Sequence, residues 1–278
     1  SVHNNTTGCN NIGIGYQAVY SNTTARSNIG IGLQALTSNT TGVCNVAVGE
    51  CGLYTTSTGN NNTVMGTETM RQNTTGSENT AIGRLALFAN TTASHNTAVG
   101  AQALTSNTTG CKNTAMGYYA LKCNTTGCDN AAFGYRALCL NTGKWNTAVG
   151  SYALSEVAGG SCNTGVGWAA LGGSSLSVGG NTALGYHAMR YNSTGPDNTA
   201  VGVQAMGNCS MSGCRNTAVG GYAGRMNSSA RCNTQVGFYA GYNVNTAYGN
   251  TLMGAFAGNN ITGAGCNTAM GTRSLYYN

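Results

Sequence analysis

The chain has very little charge. Only 6% of its 278 residues are charged, and it contains one proline, Pro196. A globular enzyme usually carries about a quarter charged residues. No apolar stretch approaches the roughly 18 residues that span a bilayer, and the twelve basic residues are scattered without a run. These absences argue against an ordinary enzyme, a membrane-inserted segment and a nucleic-acid-binding surface, despite the net charge of +6.

The chain does have a short repeat that runs through nearly all of it. An Asn, a small or β-branched residue, usually Ala or Gly, an apolar residue and Gly recur sixteen times, usually 17 residues apart, with one spacing of 16 and two of 18. A fixed period of this kind indicates one structural unit stacked on itself. The opening asparagines are Asn11, Asn28, Asn45, Asn62, Asn79, Asn96, Asn113, Asn130, Asn146, Asn163, Asn181, Asn198, Asn216, Asn233, Asn250 and Asn267.

Counted from its Asn as place 1, the unit reads N-T-A-V-G-x-x-A-L-x-x-N-T-T-G-x-x, and residues 96–112 follow it throughout. Seventeen residues are too few for a helix pair or a propeller blade, but they suit one coil of a β-solenoid whose strands pair between coils about 4.8 Å apart. The sequence therefore predicts an all-β protein, a β-solenoid (β-roll or β-helix) of about sixteen 17-residue coils. Residues 1–278 are expected to form a single repeat domain.

The pattern within the unit predicts a thin core made by the apolar residues at places 4 and 9. The small residues at places 3 and 5 would form the opposite strand face, close to another wall of the coil or to a neighbouring chain. The glycines at places 5 and 15 are expected to turn corners with positive φ. Stacking also explains the low charge, because columns of Asn or Thr pair well whereas like charges at this spacing repel.

Twelve cysteines in a lightly charged chain indicate an oxidising compartment. Stacked equivalents lie within disulfide range, which makes Cys111 with Cys128 and Cys214 with Cys232 disulfide candidates, and Cys123 with Cys139 a further pair. The alternatives are two local pairings, Cys44 with Cys51 and Cys209 with Cys214, and free buried thiols.

The two ends of the chain suggest a mode of assembly. Residues 1–10 and 267–278 are partial coils, and open solenoid ends recruit further strands. We expect head-to-tail stacking in which the first segment of one copy completes or extends the coil begun by the second segment of another. Cys9 and Cys266 would then lie one rung apart and could form an intersubunit disulfide.

Groups that could perform catalysis are dispersed. The acids and histidines are spread along the repeats and occupy several different places, so the sequence predicts no catalytic residues, no metal site, no cofactor and no enzymatic activity. The Gly-Ile-Gly phrases are interpreted as corners, since they are part of the repeat. The dispersed residues are Glu50, Glu68, Glu78, Glu156, Asp129, Asp197, His3, His95 and His187.

Two surface features of the sequence suggest binding. Asn-x-Ser/Thr triplets recur at one corner and are glycosylation candidates in a secreted eukaryotic protein, or simply good corner chemistry; they include Asn22, Asn39, Asn73, Asn90, Asn107 and Asn124. Aromatic residues gather at places 6 and 7, from Tyr16 to Phe256. They would form an outward stripe for glycans or partner chains, or only cover the edge of the coil.

The phrases Asn79–Gly83 and Asn96–Gly100, each followed by x-x-Ala-Leu and later by Asn-Thr-Thr, resemble repeats of tail-fibre-like proteins of phages and bacteria. More distantly, they are similar to the head repeats of trimeric autotransporter adhesins, which are generally shorter. The resemblance covers essentially the whole chain. It implies a β-solenoid or β-roll and an extracellular fibre or adhesive role.

These features together predict a non-enzymatic structural protein, the protomer or shaft of an extracellular filament or fibre built by stacking β-solenoid coils. Its expected partners are copies of itself, in a head-to-tail polymer or a lateral homo-oligomer, together with surface glycans. The expected location is secreted, on a cell surface or on a virion surface. The alternatives are an ice-binding solenoid, with a Thr column at place 2, 13 or 14, and a carbohydrate-binding adhesin.

Overall fold

A computed structural model describes residues 2–173, 177–208, 212–263 and 265–277. The chain forms two compact units, Ser1–Thr142 and Gly143–Asn278, and each is described by itself. The boundary between them falls in the 16-residue repeat, where Asn-Thr-Gly replaces Asn-Thr-Thr-Gly at residues 141–143. Among the described residues of both units the regular secondary structure is β strand, with no helix.

Unit 1 contains eight strands of three residues, each covering places 2 to 4 of one repeat. Consecutive strands pair in parallel and in register, so that Ala98 pairs with Ala115 and Val99 with Met116. The strands are β1 (Ile12–Ile14), β2 (Ile29–Ile31), β3 (Val46–Val48), β4 (Thr63–Met65), β5 (Thr80–Ile82), β6 (Thr97–Val99), β7 (Thr114–Met116) and β8 (Ala131–Phe133).

Unit 2 repeats the same arrangement. Its strands pair in parallel from each coil to the next, and the register holds across both 18-residue repeats, where Thr164 pairs with Thr182 and Thr199 with Thr217. The strands are β9 (Thr147–Val149), β10 (Thr164–Val166), β11 (Thr182–Leu184), β12 (Thr199–Val201), β13 (Thr217–Val219), β14 (Thr234–Val236), β15 (Thr251–Met253) and β16 (Thr268–Met270). The predicted β-solenoid with one coil per repeat is confirmed.

Backbone groups outside the strands also pair from coil to coil. In the coil that opens at Asn96, the N–H groups of Leu104, Ser106 and Thr108 donate to carbonyl oxygens of the next coil at 3.0, 3.1 and 2.9 Å. A buried backbone polar group without a partner is costly, and here each coil supplies partners for the next. The order of one coil therefore depends mainly on its two neighbours.

The core is built from places 3, 8 and 9. Ala98, Ala103 and Leu104 are 0% exposed, and most of their equivalents within each unit are buried as well. The largest fully buried side chains are the residues at place 9, namely Leu36, Leu53, Met70, Leu87, Leu104, Leu121, Leu138, Leu154, Leu171, Met189 and Met206.

The prediction that place 4 belongs to the core is wrong. Ile82 is 38% exposed and Met116 is 42% exposed. Ala81 and Ala115, which precede them at place 3 of the same strands, are fully buried. The buried Asn at place 1 fixes the parity of the strand, because side chains alternate and places 1 and 3 share one face.

Of the two interpretations of the small-residue face, the structure shows the opposite wall of the same coil at place 3, where a Cβ on Gly30 would lie 3.2 Å from the carbonyl oxygen of Ala35. At place 5 the close approach is to the next coil, since a Cβ on Gly100 would lie 2.7 Å from the carbonyl oxygen of Gly117.

The corners of the coil rely on left-handed residues that are mostly not glycine. In the coil at Asn96, φ is +57° at Gln102, +52° at Leu104 and +56° at Lys112, and Gly100 has φ +130°. The predicted positive φ of the place 5 glycines is confirmed. A left-handed residue with a side chain costs roughly 1–2 kcal/mol, so the pairing between coils must over-determine these conformations.

The place 15 glycines have another role than the predicted one. Gly110 is not among the residues with positive φ. A Cβ on Gly110 would lie 2.5 Å from Asn107 Oδ1 and 2.9 Å from Asn124 Nδ2, and would also clash with the carbonyl oxygen of Gly127. Glycine at this corner therefore allows the close approach of the next coil and of two buried amides.

Candidate functional site

A ladder of buried asparagines at place 1 joins the coils. The Oδ1 atom of Asn96 accepts hydrogen bonds from the backbone N–H and the Nδ2 of Asn113 at 3.0 and 3.3 Å. Asn113 Nδ2 also donates to the carbonyl oxygen of Gly127 at 2.8 Å. In unit 2, Asn233 Oδ1 accepts the same pair of bonds from Asn250 at 2.9 and 3.0 Å. These amides thus satisfy backbone groups that the strands leave unpaired.

A second asparagine ladder runs at place 12. Asn107 Nδ2 donates to Asn90 Oδ1 at 3.1 Å and to the carbonyl oxygen of Gly110 at 2.9 Å. Thr56 interrupts the ladder. Its hydroxyl accepts a hydrogen bond from Asn73 Nδ2 in the next coil at 3.3 Å. In the preceding coil, Asn39 Oδ1 is buried and has no hydrogen-bond partner. Unit 2 places Val157 at the same position, fully buried.

The six glycosylation candidates all lie in this second ladder. Each side chain is 0% exposed, and each Nδ2 donates to the carbonyl oxygen three residues ahead at 2.9 to 3.1 Å. A glycan is attached through that nitrogen, so the described coil leaves no space for one. The hydrogen bonds match the alternative interpretation, that Asn-Thr-Thr-Gly is corner chemistry. The six are Asn22, Asn39, Asn73, Asn90, Asn107 and Asn124.

The outward face of the strands carries two columns, at places 2 and 4. In unit 2 every strand from β9 to β16 begins with Thr and ends with Val, Leu or Met. In unit 1 the place 2 column is interrupted by Ile12, Ile29, Val46 and Ala131. Unit 2 therefore presents a regular array of hydroxyl groups beside an apolar column.

The threonine hydroxyls at place 13 are used inside the coil. Thr23 Oγ1 donates to the carbonyl oxygen of Thr40 at 3.1 Å, and Thr91 Oγ1 donates to that of Thr108 at 3.1 Å. These hydroxyls reinforce the pairing of neighbouring coils. Of the three predicted columns, place 2 is the one whose residues stand on the outward strand face.

The structure brings together one predicted cysteine pair by its sulfur atoms. Cys111 Sγ and Cys128 Sγ lie 3.0 Å apart, and the N–H of Cys111 donates to Cys128 Sγ at 3.0 Å. The pKa of Cys111 is raised, first by its hydrogen bond with Cys128 and then by burial. Both are free thiols in the described structure, placed where a small movement would allow a disulfide.

The other two predicted pairs are linked through their backbones. The Cys232 N–H donates to the carbonyl oxygen of Cys214 at 3.1 Å, and the Cys123 N–H donates to that of Cys139 at 2.9 Å. Cys214 lies two residues before the next repeat's Asn216, whereas Cys232 lies one residue before Asn233. The extra residue of the 18-residue repeat causes this difference of one place. These two cysteines are therefore not stacked equivalents.

The remaining cysteine predictions have different outcomes. Cys9 and Cys266 are exposed free thiols, and their intersubunit disulfide stays a prediction. Among the local alternatives, Cys44 is exposed and Cys51 is buried, each as a free thiol. Cys209 lies outside the described residues, so its pairing with Cys214 stays a prediction.

The acids and histidines remain dispersed in the fold. Arg71 Nη1 lies 3.2 Å from Glu68 Oε1, and His95 Nδ1 lies 3.1 Å from Glu78 Oε2, all on the surface. Exposed pairs of this kind contribute little stability. Over the described ranges, no three His, Cys, Asp or Glu side chains are grouped so that they could hold a metal ion. Nor does any helix of membrane-spanning length and hydropathy occur there.

The aromatic residues of places 6 and 7 form contacts between neighbouring coils in unit 2. The rings of Trp168 and Tyr186 lie 5.4 Å apart at an interplanar angle of 14°, and Tyr152 meets Trp168 at 6.1 Å nearly edge-on. Arg190 Cζ lies 5.6 Å from the centroid of the Trp168 ring. Trp168 and Tyr186 are 42% and 47% exposed, so this is an outward stripe.

An open groove of about 300 Å³ interrupts this stripe. Its inner surface is made by Ala169, Gly172 and Gly173, where neighbouring coils carry larger side chains, and Tyr152 and Arg190 lie on either side along the coil stack. We call it the Trp168 groove. It also contains Trp168, Ser155 and Glu156.

The polar groups of the Trp168 groove differ in how they are satisfied. Arg190 Nη1 hydrogen-bonds His187 Nε2 at 2.9 Å, whereas the buried Arg190 Nε has no partner. Burial, and then the positive charge of Arg190, lower the pKa of His187. His187 is consequently neutral near pH 7, and its Nε2 can accept that bond. Ser155 Oγ donates to the carbonyl oxygen of Gly172 at 2.8 Å.

Comparison of the chain with protein-family models, with curated proteins and with solved structures gives no match.

The sequence predicted the aromatic stripe but not the Trp168 groove. The groove results from the absence of side chains at Ala169, Gly172 and Gly173, and absence is a weak signal in a glycine-rich repeat. The repeats do differ at the groove. Places 7 and 10 are Ala169 and Gly172 there, but Tyr152 and Ser155 in the preceding repeat and His187 and Arg190 in the following one.

Proposed function

We propose that the protein is a non-enzymatic structural component of an extracellular filament or fibre, built by stacking β-solenoid coils. The observation that carries this proposal is the pairing of each coil with the next at every level. Strand hydrogen bonds, corner hydrogen bonds and the place 1 asparagine ladder all connect one coil to its neighbours. Force along the stack is therefore distributed over many bonds acting together, which suits a mechanical role.

Self-association is the second part of the proposal. The repeats are nearly interchangeable, so a coil of one copy has the chemistry to pair with a coil of another copy, head to tail. A lateral homo-oligomer would instead use the outward place 4 column, where Met65, Ile82 and Met116 are 53%, 38% and 42% exposed. A contiguous apolar column at the surface is typical of an interface.

The resemblance to tail-fibre-like repeats supports the same assignment and an extracellular location. The abundance of cysteine supports an oxidising environment. Catalysis would need convergent groups with unlike environments, and the described acids and histidines provide two isolated surface pairs.

Electron microscopy and light scattering of the purified chain test the proposal. We expect filaments or discrete oligomers whose proportion increases with protein concentration. Ile82→Lys places a charge on the outward column and should abolish a lateral assembly, while Ala101→Lys, in the following coil at place 6, is the matched control. Monomers under all conditions, before and after mild oxidation, would reject self-association. Equal assembly of both variants would exclude the lateral route and leave the head-to-tail one.

Ice binding is a second candidate function, favoured by the uninterrupted threonine column of unit 2. Thr182, Thr234 and Thr268 are exposed, and the other five are half-buried. Hydroxyl groups repeated about every 4.8 Å beside a flat apolar column form a regular array that could order water. Thermal hysteresis of the native chain, lost in Thr199→Tyr and Thr217→Tyr and kept in the unit 1 control Thr97→Tyr, would support this function. No hysteresis in the native chain would exclude it.

A further inference from the structure

We propose that the Trp168 groove is a binding site for a pyranose ring of a glycan. This goes beyond a structural role and does not depend on self-association. The groove lies within unit 2 and is built from side chains of three consecutive repeats, those that open at Asn146, Asn163 and Asn181.

The size of the groove favours one ring. Ala169 and Gly172 stand at places 7 and 10, where the neighbouring coils have larger side chains. Place 7 is Tyr152 in the preceding coil, and places 7 and 10 are His187 and Arg190 in the following one. Two steps of the coil stack span roughly 9 to 10 Å. With contact distances of about 3.5 to 4.0 Å on each side, this spacing leaves room for one ring layer. A puckered pyranose fills it more fully than a flat aromatic ring does.

The chemistry of the groove favours a sugar. Trp168 stacks on Tyr186 on one side and is 42% exposed, and the electron-rich face of such a ring attracts the partly positive C–H groups of a pyranose. Around it lie polar groups of the kind that orient a small polar ligand in a mostly apolar site. The guanidinium of Arg190 supplies donors, and the exposed carboxylate of Glu156 supplies acceptors.

The two charged side chains also define the kind of glycan. Arg190 and Glu156 lie in the same groove, so vicinal hydroxyl groups can accept from one and donate to the other. The lining of the groove holds one cation, Arg190, and one anion, Glu156, so it has no net charge that would favour an ionised sugar. We therefore infer a neutral pyranose, at the end of a chain or within it.

The experiment uses tryptophan fluorescence of the full chain. Trp145→Phe leaves Trp168 as the only tryptophan, since the chain has two. The probes are the methyl pyranosides of glucose, galactose, mannose and N-acetylglucosamine, with methyl glucuronide as the acidic sugar. Indole is the flat aromatic compound, and its binding is measured by titration calorimetry because indole itself fluoresces like tryptophan. We expect a saturable change with at least one neutral sugar, at a Kd on the order of 1 mM, typical of a small ligand with few contacts.

Two variants locate the binding. Ala169→Tyr restores the missing level, and its backbone is suited to the change because Ala169 has φ +49° and Tyr152 at the same place has φ +59°. It should remove binding, while Gln204→Tyr, at the same place two coils further on, should keep it. Arg190→Met leaves the groove open and should weaken binding at least tenfold, so it tests the proposal even if Ala169→Tyr does not fold.

Three results would overturn the proposal. They are the absence of saturable binding by any neutral sugar up to roughly 50 mM, binding that survives both Ala169→Tyr and Arg190→Met, and saturation by indole without saturation by any sugar. Tighter binding of the glucuronide than of glucoside would overturn the assignment to a neutral pyranose.

Discussion

The two units use the same coil but fill its interior differently. In unit 1, place 12 is Asn in most coils, and place 9 is Leu or Met after Val19. In unit 2, place 12 includes Val157, Val244 and Ile261, all fully buried. Its last coils have glycine at place 9, where Gln235 and Leu252 at place 3 supply the missing volume.

This difference separates the fixed parts of the coil from the replaceable ones. The place 1 asparagine occurs in all sixteen repeats of both units, because its amide serves the backbone of the next coil as well as its own column. The place 12 amide serves a carbonyl of its own corner and its neighbours in the column, and an aliphatic residue can stand there. The side chains at places 3 and 9 fill the interior of the coil together, so a larger one at place 3 can compensate for a smaller one at place 9.

The largest expected effect comes from comparing the two ladders within unit 1. Asn79 and Asn90 both donate to the carbonyl oxygen of Ala93, at 2.9 and 3.0 Å. Asn79 Oδ1 also accepts from the backbone N–H of Asn96 at 2.9 Å. Asn79→Val should lower the free energy of unfolding by about 3–5 kcal/mol, and Asn90→Val by about 1–2 kcal/mol, since each buried group left unpaired costs about 1–3 kcal/mol.

Urea unfolding followed by circular dichroism measures both losses. Val157 shows that a valine fits at place 12 in a coil of this kind, so Asn90→Val serves as the control for side-chain shape. Equal losses in the two variants would mean that the ladders are equivalent, contrary to the comparison of the units.

The volume exchange in the core should have the next largest effect. A Cβ on Gly258 would lie 2.6 Å from Leu252 Cδ1, so Gly258→Leu alone should lower the unfolding free energy by about 2–3 kcal/mol through overpacking. Leu252→Ala alone should lower it by about 2–5 kcal/mol through a cavity. The double variant, Leu252→Ala with Gly258→Leu, has the same residues at places 3 and 9 as Ala98 and Leu104 in unit 1. Its free energy of unfolding should fall by less than about 1.5 kcal/mol.

The backbone at this position does not prevent the exchange. Gly258 has φ +54°, and Leu104 has φ +52° at the same place. Thermal unfolding of the four proteins gives the coupling, and additive losses would show that the two places do not share one volume.

Disulfide formation should distinguish the two units more modestly. Oxidation by glutathione disulfide, which releases two molecules of reduced glutathione, should close Cys111–Cys128 in unit 1 and leave Cys214 and Cys232 unlinked to each other. Closing a 17-residue loop stabilises by about 3 kcal/mol, close to the value for a 15-residue loop. Mass spectrometry after alkylation identifies the linkages.

The pH dependence follows from the raised pKa of Cys111. The thiolate is the attacking form, so below that pKa the initial rate should fall about tenfold per pH unit. Cys128→Ser is the control variant and should prevent the loop. A Cys214–Cys232 disulfide formed at a similar rate would contradict the one-place offset between those residues.

The smallest effect is a gain in stability at the interruption of the place 12 ladder. Thr56→Asn should restore an amide donor to the unpartnered Asn39 Oδ1 and retain an acceptor for Asn73 Nδ2. Thr and Asn are close in volume, so we expect about 1 kcal/mol of added stability, the usual net value of one hydrogen bond. Thr56→Val is the matched control. A rise in unfolding midpoint no larger than that of the control would contradict the proposed repair.

Periodicity made the coil predictable, but it left the direction of the side chains ambiguous. The sixteen asparagines located every strand, and the place 5 glycines located one corner. The size and hydrophobicity of Ile82 predicted that its side chain faces inward. Because Asn79 and Ala81 are buried and side chains alternate along the strand, Ile82 faces outward. A burial preference averaged over residue types cannot decide between two faces when the inner wall has room only for alanine.

The remaining differences arise from contacts that appear only when coils are stacked. Asn107 looks like a glycosylation site in the sequence, and its burial depends on partners one coil away. Gly110 looks like a flexible corner, and it is small because the next coil approaches it. The left-handed backbone of Leu104 has no sequence signal, since leucine rarely adopts that conformation.

The column arrangement has a consequence for how such a gene can change in length. Removing residues 80–96 would join Asn79 directly to Thr97, and each later side chain in unit 1 would still stand above a residue of its own kind. Loss or duplication of a whole 17-residue segment is therefore a mild change, whereas loss of a single residue within a strand would put every following side chain of that coil on the wrong face.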